Sequence, residues 1–107
     1  MTKRVLDDGQ CDPDHASLRR LIQNNFSGQM DRAHGPADTL SLLRQSHYDL
    51  VLINRKLDRD HSDGLEILRA IKADPQLAAV PVMLITNFPE HQQAAMEEGG
   101  ILGFGKA

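Results

Sequence analysis

The end of the sequence carries the spacing of a nucleotide-binding phosphate loop. Gly100 and Gly105 precede Lys106, an arrangement in which backbone amides surround a phosphate group and the lysine contacts it. The last position of the pattern is Ala107, which lacks the hydroxyl group that would bind Mg²⁺. No predicted helix follows to point its N-terminal amides at the anion. We therefore do not expect a nucleotide site here.

Two further patterns could supply metal ligands. Residues 58–63 imitate the start of a calcium-binding loop, but Gly64 comes one position late and Arg69 stands where a bidentate acid is needed. The histidines never recur at the spacing of ligands on one helix face; they are His15, His34, His47, His61 and His91. No serine, cysteine or carboxylate has the sequence context of a nucleophile with its base. We expect no catalytic residue, no metal ion and no cofactor.

Strand and helix signals alternate along the chain. Helices are predicted at 13–25, from Pro36, from Asp63 to Asp74 and at 89–98, and strands at the start of the chain and at 29–33, 48–53, 81–86 and 101–104. Strands that are apolar throughout, as at 48–53, are typical of a sheet covered by helices on both faces. Strands that alternate with helices at short spacing imply right-handed crossovers between parallel strands. The predicted class is α/β, a doubly wound, five-stranded parallel sheet.

The composition of the chain excludes several classes of function. The 107 residues form one predicted domain, 1–107, with 15 acids, 12 bases and a net charge of −3. The negative net charge argues against a basic face for phosphate groups, and one tyrosine, three phenylalanines and no tryptophan are too few for a platform on which bases stack. Nucleic acid is therefore not an expected partner. Cys11 is the only cysteine, which excludes an internal disulfide and favours a reducing, cytoplasmic location. No apolar run approaches the roughly 20 residues of a membrane span.

Three stretches, taken in order, resemble the receiver domain of two-component response regulators. They are residues 10–14, residues 48–54 followed by 62–68, and residues 82–106. The resemblance covers nearly the whole chain and implies a flavodoxin-like fold. It also implies that Thr86 and Lys106 occupy the positions of the switch hydroxyl and the lysine of that family.

The departures from the family pattern concern its chemistry. Asn54 stands at the position of the phosphoacceptor aspartate, and an amide is too weak a nucleophile to accept a phosphoryl group. Gln10 and Cys11, ahead of Asp12, stand where the family has the acidic pair that holds Mg²⁺. A neutral amide and a thiol are poor ligands for this hard cation. The resemblance therefore implies a degenerate pocket that lacks both the nucleophile and the metal clamp.

A rival alignment places the acidic pair Asp7-Asp8 at the end of the first strand, which would restore a metal site. It would leave only Val5-Leu6 as strand and would separate the acids from Asp12. Asn54 remains unreactive in either alignment. The choice between the two alignments stays open at the level of sequence.

Positive charge replaces negative charge around the degenerate pocket. The loop from Asn54 to Gly64 is longer than the family pattern and begins with Arg55-Lys56. In one interpretation Lys106 binds the side-chain oxygen of Asn54 and Thr86 completes a network that locks a single conformation. In the other, these residues are remnants held by ordinary packing.

The resemblance also implies a missing element, because the sequence stops after the fifth strand and lacks the last helix of the family. Apolar surface beside the first helix would then need a cover. The two candidates are a second copy of the chain, giving a homodimer, and a segment beyond these residues.

The expected function is that of a bacterial, phosphorylation-independent receiver-like module, not an enzyme, which acts by contact with a signalling protein. Two alternatives remain. One is a working receiver that uses Asp7, Asp8 or Asp12 with a non-standard acceptor, and the other is a fragment of a larger regulator or hybrid kinase.

Overall fold

A computed structural model of the chain describes residues 3–10, 12–25, 28–57 and 63–103. Within these ranges, strands and helices alternate without interruption. The strands are β1 (Lys3–Asp8), β2 (Gly28–Ala33), β3 (Leu50–Asn54) and β4 (Val82–Ile85), and the helices are α1 (Asp12–Asn25), α2 (Pro36–Gln45), α3 (Gly64–Ala73) and α4 (Pro89–Glu97).

The four strands form one parallel sheet in the order β2-β1-β3-β4. The order reverses direction after β1, which is the arrangement of a doubly wound fold. Ile101 adds a parallel bridge to Met83 of β4, at the place of the predicted fifth strand, while Phe104 lies outside the described residues. The predicted α/β class with a parallel, flavodoxin-like sheet is confirmed.

Helix starts follow the sequence signals closely. Pro36 and Pro89 open α2 and α4, where the missing proline N–H leaves no hydrogen bond unmade. Asp63 caps α3 by accepting the Leu65 N–H at 3.0 Å. Glu66, three residues after Asp63, is of the type that completes a capping pair, but its carboxylate forms an ion pair with Arg69 at 2.8 Å. Glu66 and Arg69 are three positions apart, the spacing at which side chains on one helix face meet.

The hydrophobic core has two layers, one on each face of the sheet. On one face Leu18 and Ile22 of α1 pack against Val5, Leu52 and Ile85. On the other, side chains of α2, α3 and α4 join the larger layer, whose buried members include Leu6, Leu43, Tyr48, Val51, Ile53, Ile67, Leu68, Ile71 and Ala95. Among the described helices, only α1 contributes to the first layer.

The face below α1 is correspondingly less covered. Leu50 and Met83 are only partly buried there, and a cavity of about 320 Å³ is lined by Lys3, Val5, Ile22, Asp49 and Leu50. The expectation that a second copy or a further segment covers this face stays a prediction. None of the described helices combines the length and the apolar character that a bilayer span requires.

Candidate functional site

Asn54 is the last residue of β3 and pairs in register with Ile85 of β4. Its side chain is almost fully buried, and Nδ2 donates to the carbonyl oxygens of Lys56 at 2.7 Å and of Gly9 at 3.3 Å. Both N–H groups of the amide are therefore used by the backbone of two loops. The side chain joins the loop after β1 to the loop after β3.

Thr86 directly follows β4 and lies beside Asn54. Its hydroxyl oxygen accepts the Phe88 N–H at 3.3 Å and is 3.5 Å from Nδ1 of His91, a residue that the sequence interpretation did not place at the site. A cavity of about 280 Å³ opens between these elements. It is lined by Asn54, Arg55, Lys56, Ile85, Thr86, Asn87 and Phe88. The structure thus brings Asn54 and Thr86 together, with Arg55 and Lys56 beside them.

Gln10 and Asp12 are not among the residues that line this cavity. Gln10 is fully buried; its carbonyl oxygen accepts from Nη2 of Arg32 at 2.9 Å, and its side-chain amide has no hydrogen-bond partner within the described residues. Asp12 is exposed at the start of α1 and forms an ion pair with Arg32 at 2.7 Å. The hydrogen bond from Arg32 lowers the pKa of the Asp12 carboxyl. Cys11 and Lys106 lie outside the described residues.

β1 spans Lys3–Asp8, so the expectation that a strand ending at Asp7-Asp8 would keep only Val5-Leu6 is wrong. The strand pairs in register through Asp8, as in the rival alignment, and Gln10 lies beyond its end. Asp7 and Asp8 are fully buried on opposite faces of the sheet. On the α1 side, Oδ2 of Asp7 is 2.5 Å from Nδ1 of His15. On the α2 side, the hydroxyl of Thr39 is hydrogen-bonded to Asp8. Each carboxylate therefore binds a different helix, and the two do not form one cluster at the edge of the sheet.

Two glycines, Gly9 and Gly64, shape the site in a way that was not predicted from the sequence. Gly9 follows β1 with φ +77°, a conformation that favours glycine, and it presents its carbonyl oxygen to Asn54. A Cβ atom on Gly64 would lie 2.1 Å from the carbonyl oxygen of Asn54. Glycine at position 64 therefore lets α3 begin against the end of β3. The sequence did contain one signal for both glycines: each directly follows an aspartate at the boundary of a strand or a helix.

The structure is similar to several solved response regulators, although no family model matches the sequence. NtrX from Brucella abortus is 22% identical with a TM-score of 0.82, and the match covers 100% of this chain but 24% of NtrX. The chemotaxis protein CheY4 of Vibrio cholerae is 15% identical with a TM-score of 0.79, over 100% of this chain and 87% of CheY4.

A response regulator receiver domain from Methylobacillus flagellatus is 18% identical with a TM-score of 0.76, over 98% of this chain and 85% of that domain. The chain has the receiver fold. The site around Asn54 lies at the carboxyl ends of β3 and β4, next to the point where the strand order reverses, which is where ligands bind in doubly wound sheets.

Proposed function

We propose that this chain is a receiver-like signalling module that acts by protein contact and is not phosphorylated. The observation that carries the proposal is the state of Asn54. Its amide occupies the end of β3 with both N–H groups bound to backbone carbonyls, so the side chain holds the site together. An amide in this role offers no nucleophilic oxygen for a phosphoryl group.

The surroundings of Asn54 are also unsuited to Mg²⁺, the ion that phosphoryl transfer in this fold would require. A hard cation needs several anionic or neutral oxygen ligands that converge. Among the described residues, the cavity lining includes two cationic side chains and no carboxylate. Asp7 and Asp8 bind different helices, and Asp12 pairs with Arg32. These residues do not fit a magnesium site, and we derive no step through the ion.

The same contacts argue against a working receiver that uses Asp7, Asp8 or Asp12. Asp7 and Asp8 are fully buried, so a phosphodonor could reach them only after α1 or α2 moved. Asp12 is exposed but lies at the start of α1, outside the cavity beside Asn54. The proposed partner is a signalling protein, and the proposal includes a bacterial, cytoplasmic setting without nucleic acid or membrane as ligand.

The decisive experiment is incubation with acetyl phosphate, and separately with beryllofluoride, in the presence of Mg²⁺. We expect no gain of a phosphoryl group by intact mass and no shift of the Asn54 and Thr86 amide resonances. A phosphorylatable receiver treated in parallel is the positive control. A stoichiometric adduct would overturn the proposal and return the alternative of a non-standard acceptor.

A further inference from the structure

The side chain of Gln10 is buried without the hydrogen bonds that normally accompany burial. Its exposure is 0%, and neither Oε1 nor Nε2 has a hydrogen-bond partner among the residues that the structure describes. An amide in this state has lost its hydrogen bonds to water and has gained none in return, which costs free energy. A local movement that carried this amide into water would recover that free energy.

The residue before Gln10 has a backbone suited to such a movement. Gly9 has φ +77°, a region that glycine enters without a steric penalty. Its N–H donates to the carbonyl oxygen of Ala33 at 3.0 Å, one position beyond the last paired residue of β1, Asp8. Gly9 and Gln10 could therefore move while β1 itself stays paired in the sheet.

Arg32 of β2 holds these two residues in place. Its Nη2 donates to the carbonyl oxygen of Gln10 at 2.9 Å and pairs with Oδ1 of Asp12 at 2.7 Å. Hydrogen bonds from a charged group are stronger than those between neutral groups. The side chain of Asp12 is 88% exposed and that of Arg32 is 25% exposed, so a partner protein can compete for the guanidinium group.

Gly9 connects the same two residues to the site beside Asn54. The carbonyl oxygen of Gly9 accepts the longer of the two hydrogen bonds that Nδ2 of Asn54 donates, 3.3 Å against 2.7 Å to Lys56. Movement of Gly9 would break this bond and leave Lys56 as the acceptor for Asn54 among the described residues. Gly9 and Gln10 thus lie between Arg32, on the edge strand, and Asn54, at the end of β3.

We propose that Gly9–Gln10 is a two-state latch that couples Arg32 to Asn54. In the closed state Gln10 is buried, Arg32 binds its carbonyl oxygen, and Gly9 binds Asn54; in the open state the Gln10 amide is in water and Asn54 is released. A partner that engages Arg32 shifts the balance toward the open state. The inference rests on the proposed function, because it makes protein contact, in place of phosphate, the event that moves Asn54.

Amide hydrogen exchange of the whole chain, with neither phosphodonor nor Mg²⁺ present, tests the latch. We expect a protection factor for the Gly9 N–H that is at least about tenfold lower than that of Leu52, in the middle of the sheet. Exchange at Gly9 should also depend little on low concentrations of urea, because a local opening exposes little surface. Equal protection and equal urea dependence at the two residues would mean that Gly9 opens only on global unfolding, which would overturn the proposal.

Gln10→Met replaces the buried amide by an apolar side chain of similar length. It should raise the protection factor of Gly9 by about tenfold or more, because opening no longer transfers a polar group to water. Gln23→Met makes the same change at an exposed position of α1 and should alter that factor by less than about twofold. A folded Gln10→Met variant with unchanged or lower protection at Gly9 would contradict the proposal.

Arg32→Gln imitates a partner that takes Arg32 away from the latch. It should lower the protection factor of Gly9 by about tenfold or more and shift the side-chain amide resonances of Asn54, because the charge-assisted hydrogen bond is lost. Arg44→Gln removes an arginine from the ion pair with Asp74 and should do neither. Lower protection at Gly9 with unchanged Asn54 resonances would overturn the coupling that defines the latch.

The latch and the proposed function fail in different experiments. The exchange measurements use the protein alone, so equal protection at Gly9 and Leu52 refutes the latch and leaves phosphorylation independence standing. An adduct with acetyl phosphate and Mg²⁺ refutes phosphorylation independence, whatever the exchange rates are. The amide spectrum of each variant also reports directly whether it is folded.

Discussion

Nδ2 of Asn54 lies 2.7 Å from the carbonyl oxygen of Lys56 and donates a hydrogen bond to it across the first turn after β3. The same nitrogen also donates to Gly9. An amide can satisfy two facing carbonyl oxygens, whereas an ionised carboxylate would repel both. The residue type at this position is therefore matched to its neighbours and contributes to the stability of the fold.

Asn54→Asp should consequently destabilise the protein at neutral pH. We expect a loss of about 1–3 kcal/mol in the free energy of unfolding, the cost of leaving buried polar groups without partners. The new carboxyl faces two carbonyl oxygens, so its pKa should be raised in the folded state. The loss should therefore shrink as the pH falls from about 8 to about 5, because the protonated carboxyl can donate one hydrogen bond.

Urea unfolding of both proteins over that pH range measures the effect. Asn87→Asp provides the same chemical change at an exposed neighbouring position whose side chain has no hydrogen bond to another of the described residues. That control should differ from the parent protein by less than about 0.5 kcal/mol. An Asn54→Asp variant as stable as the parent at neutral pH would contradict the role given to this amide.

Gly64 sets how closely α3 approaches the site. A Cβ atom there would lie 2.1 Å from the Asn54 carbonyl oxygen and 2.7 Å from Cγ2 of Ile53. Alanine normally stabilises a helix by up to about 1 kcal/mol relative to glycine. At this position we expect the clash to dominate, so that Gly64→Ala lowers the free energy of unfolding by about 1–3 kcal/mol.

The control for that change is Gly35→Ala at the start of α2. Its Cβ atom would lie no closer than 3.9 Å to the side chain of Asp38, and the backbone is extended with φ −165°. A change of less than about 1 kcal/mol is expected there. Thermal or urea unfolding of the two variants, followed by circular dichroism, compares them; a harmless Gly64→Ala would mean that α3 can shift away from β3 at little cost.

Local signals predicted the elements well because the relevant interactions are local. Asp63 is two residues from the N–H that it caps, and Pro36 and Pro89 act on their own helix starts. The end of β1 was harder to predict from the sequence, because an acid there is bound by a residue far along the chain. Asp8, for example, is bound by Thr39, 31 residues later.

The geometry around Asn54 depended on the same kind of distant contact. The sequence indicated that Asn54 and Thr86 follow neighbouring strands, and the structure brings them to one cavity. The carbonyl of Gly9 that fixes Asn54 is 45 residues away in sequence. No residue pattern specifies the pairing of Gly9 with Asn54 before the register of the sheet is known. The contact between His91 and Thr86 is local, because the two residues are five positions apart and α4 begins between them.

Tyr48 offers an independent measurement of the packing in the larger core layer, on the face of the sheet that α2, α3 and α4 cover. Its hydroxyl donates to Oδ2 of Asp31 at 2.6 Å, and the guanidinium carbon of Arg4 lies 4.9 Å from the ring centroid. Burial, followed by the hydrogen bond and charge of Asp31, raises the pKa of Tyr48 to about 12, while Arg4 opposes the shift. The ordinary value is 10.0.

Because Tyr48 is the only tyrosine and there is no tryptophan, phenolate absorbance reports this residue alone. We expect a midpoint near pH 12 while circular dichroism shows a folded chain. The stabilisation from the raised pKa is complete below pH 10.0 and is lost as the pH rises to about 12, since the unfolded chain ionises first. Asp31→Asn should lower the midpoint, because it removes the negative charge beside the phenol.

Tyr48→Phe should cost about 0.5–1.5 kcal/mol at neutral pH, the usual net contribution of one hydrogen bond. Its stability should also decline less than that of the parent protein between pH 10.0 and about 12, because the ionisable group is gone. A parent midpoint near pH 10 with the fold intact would show that the phenol is solvated. In that case the hydrogen bond from Tyr48 to Asp31 could not be what holds Tyr48, which precedes β3, to β2.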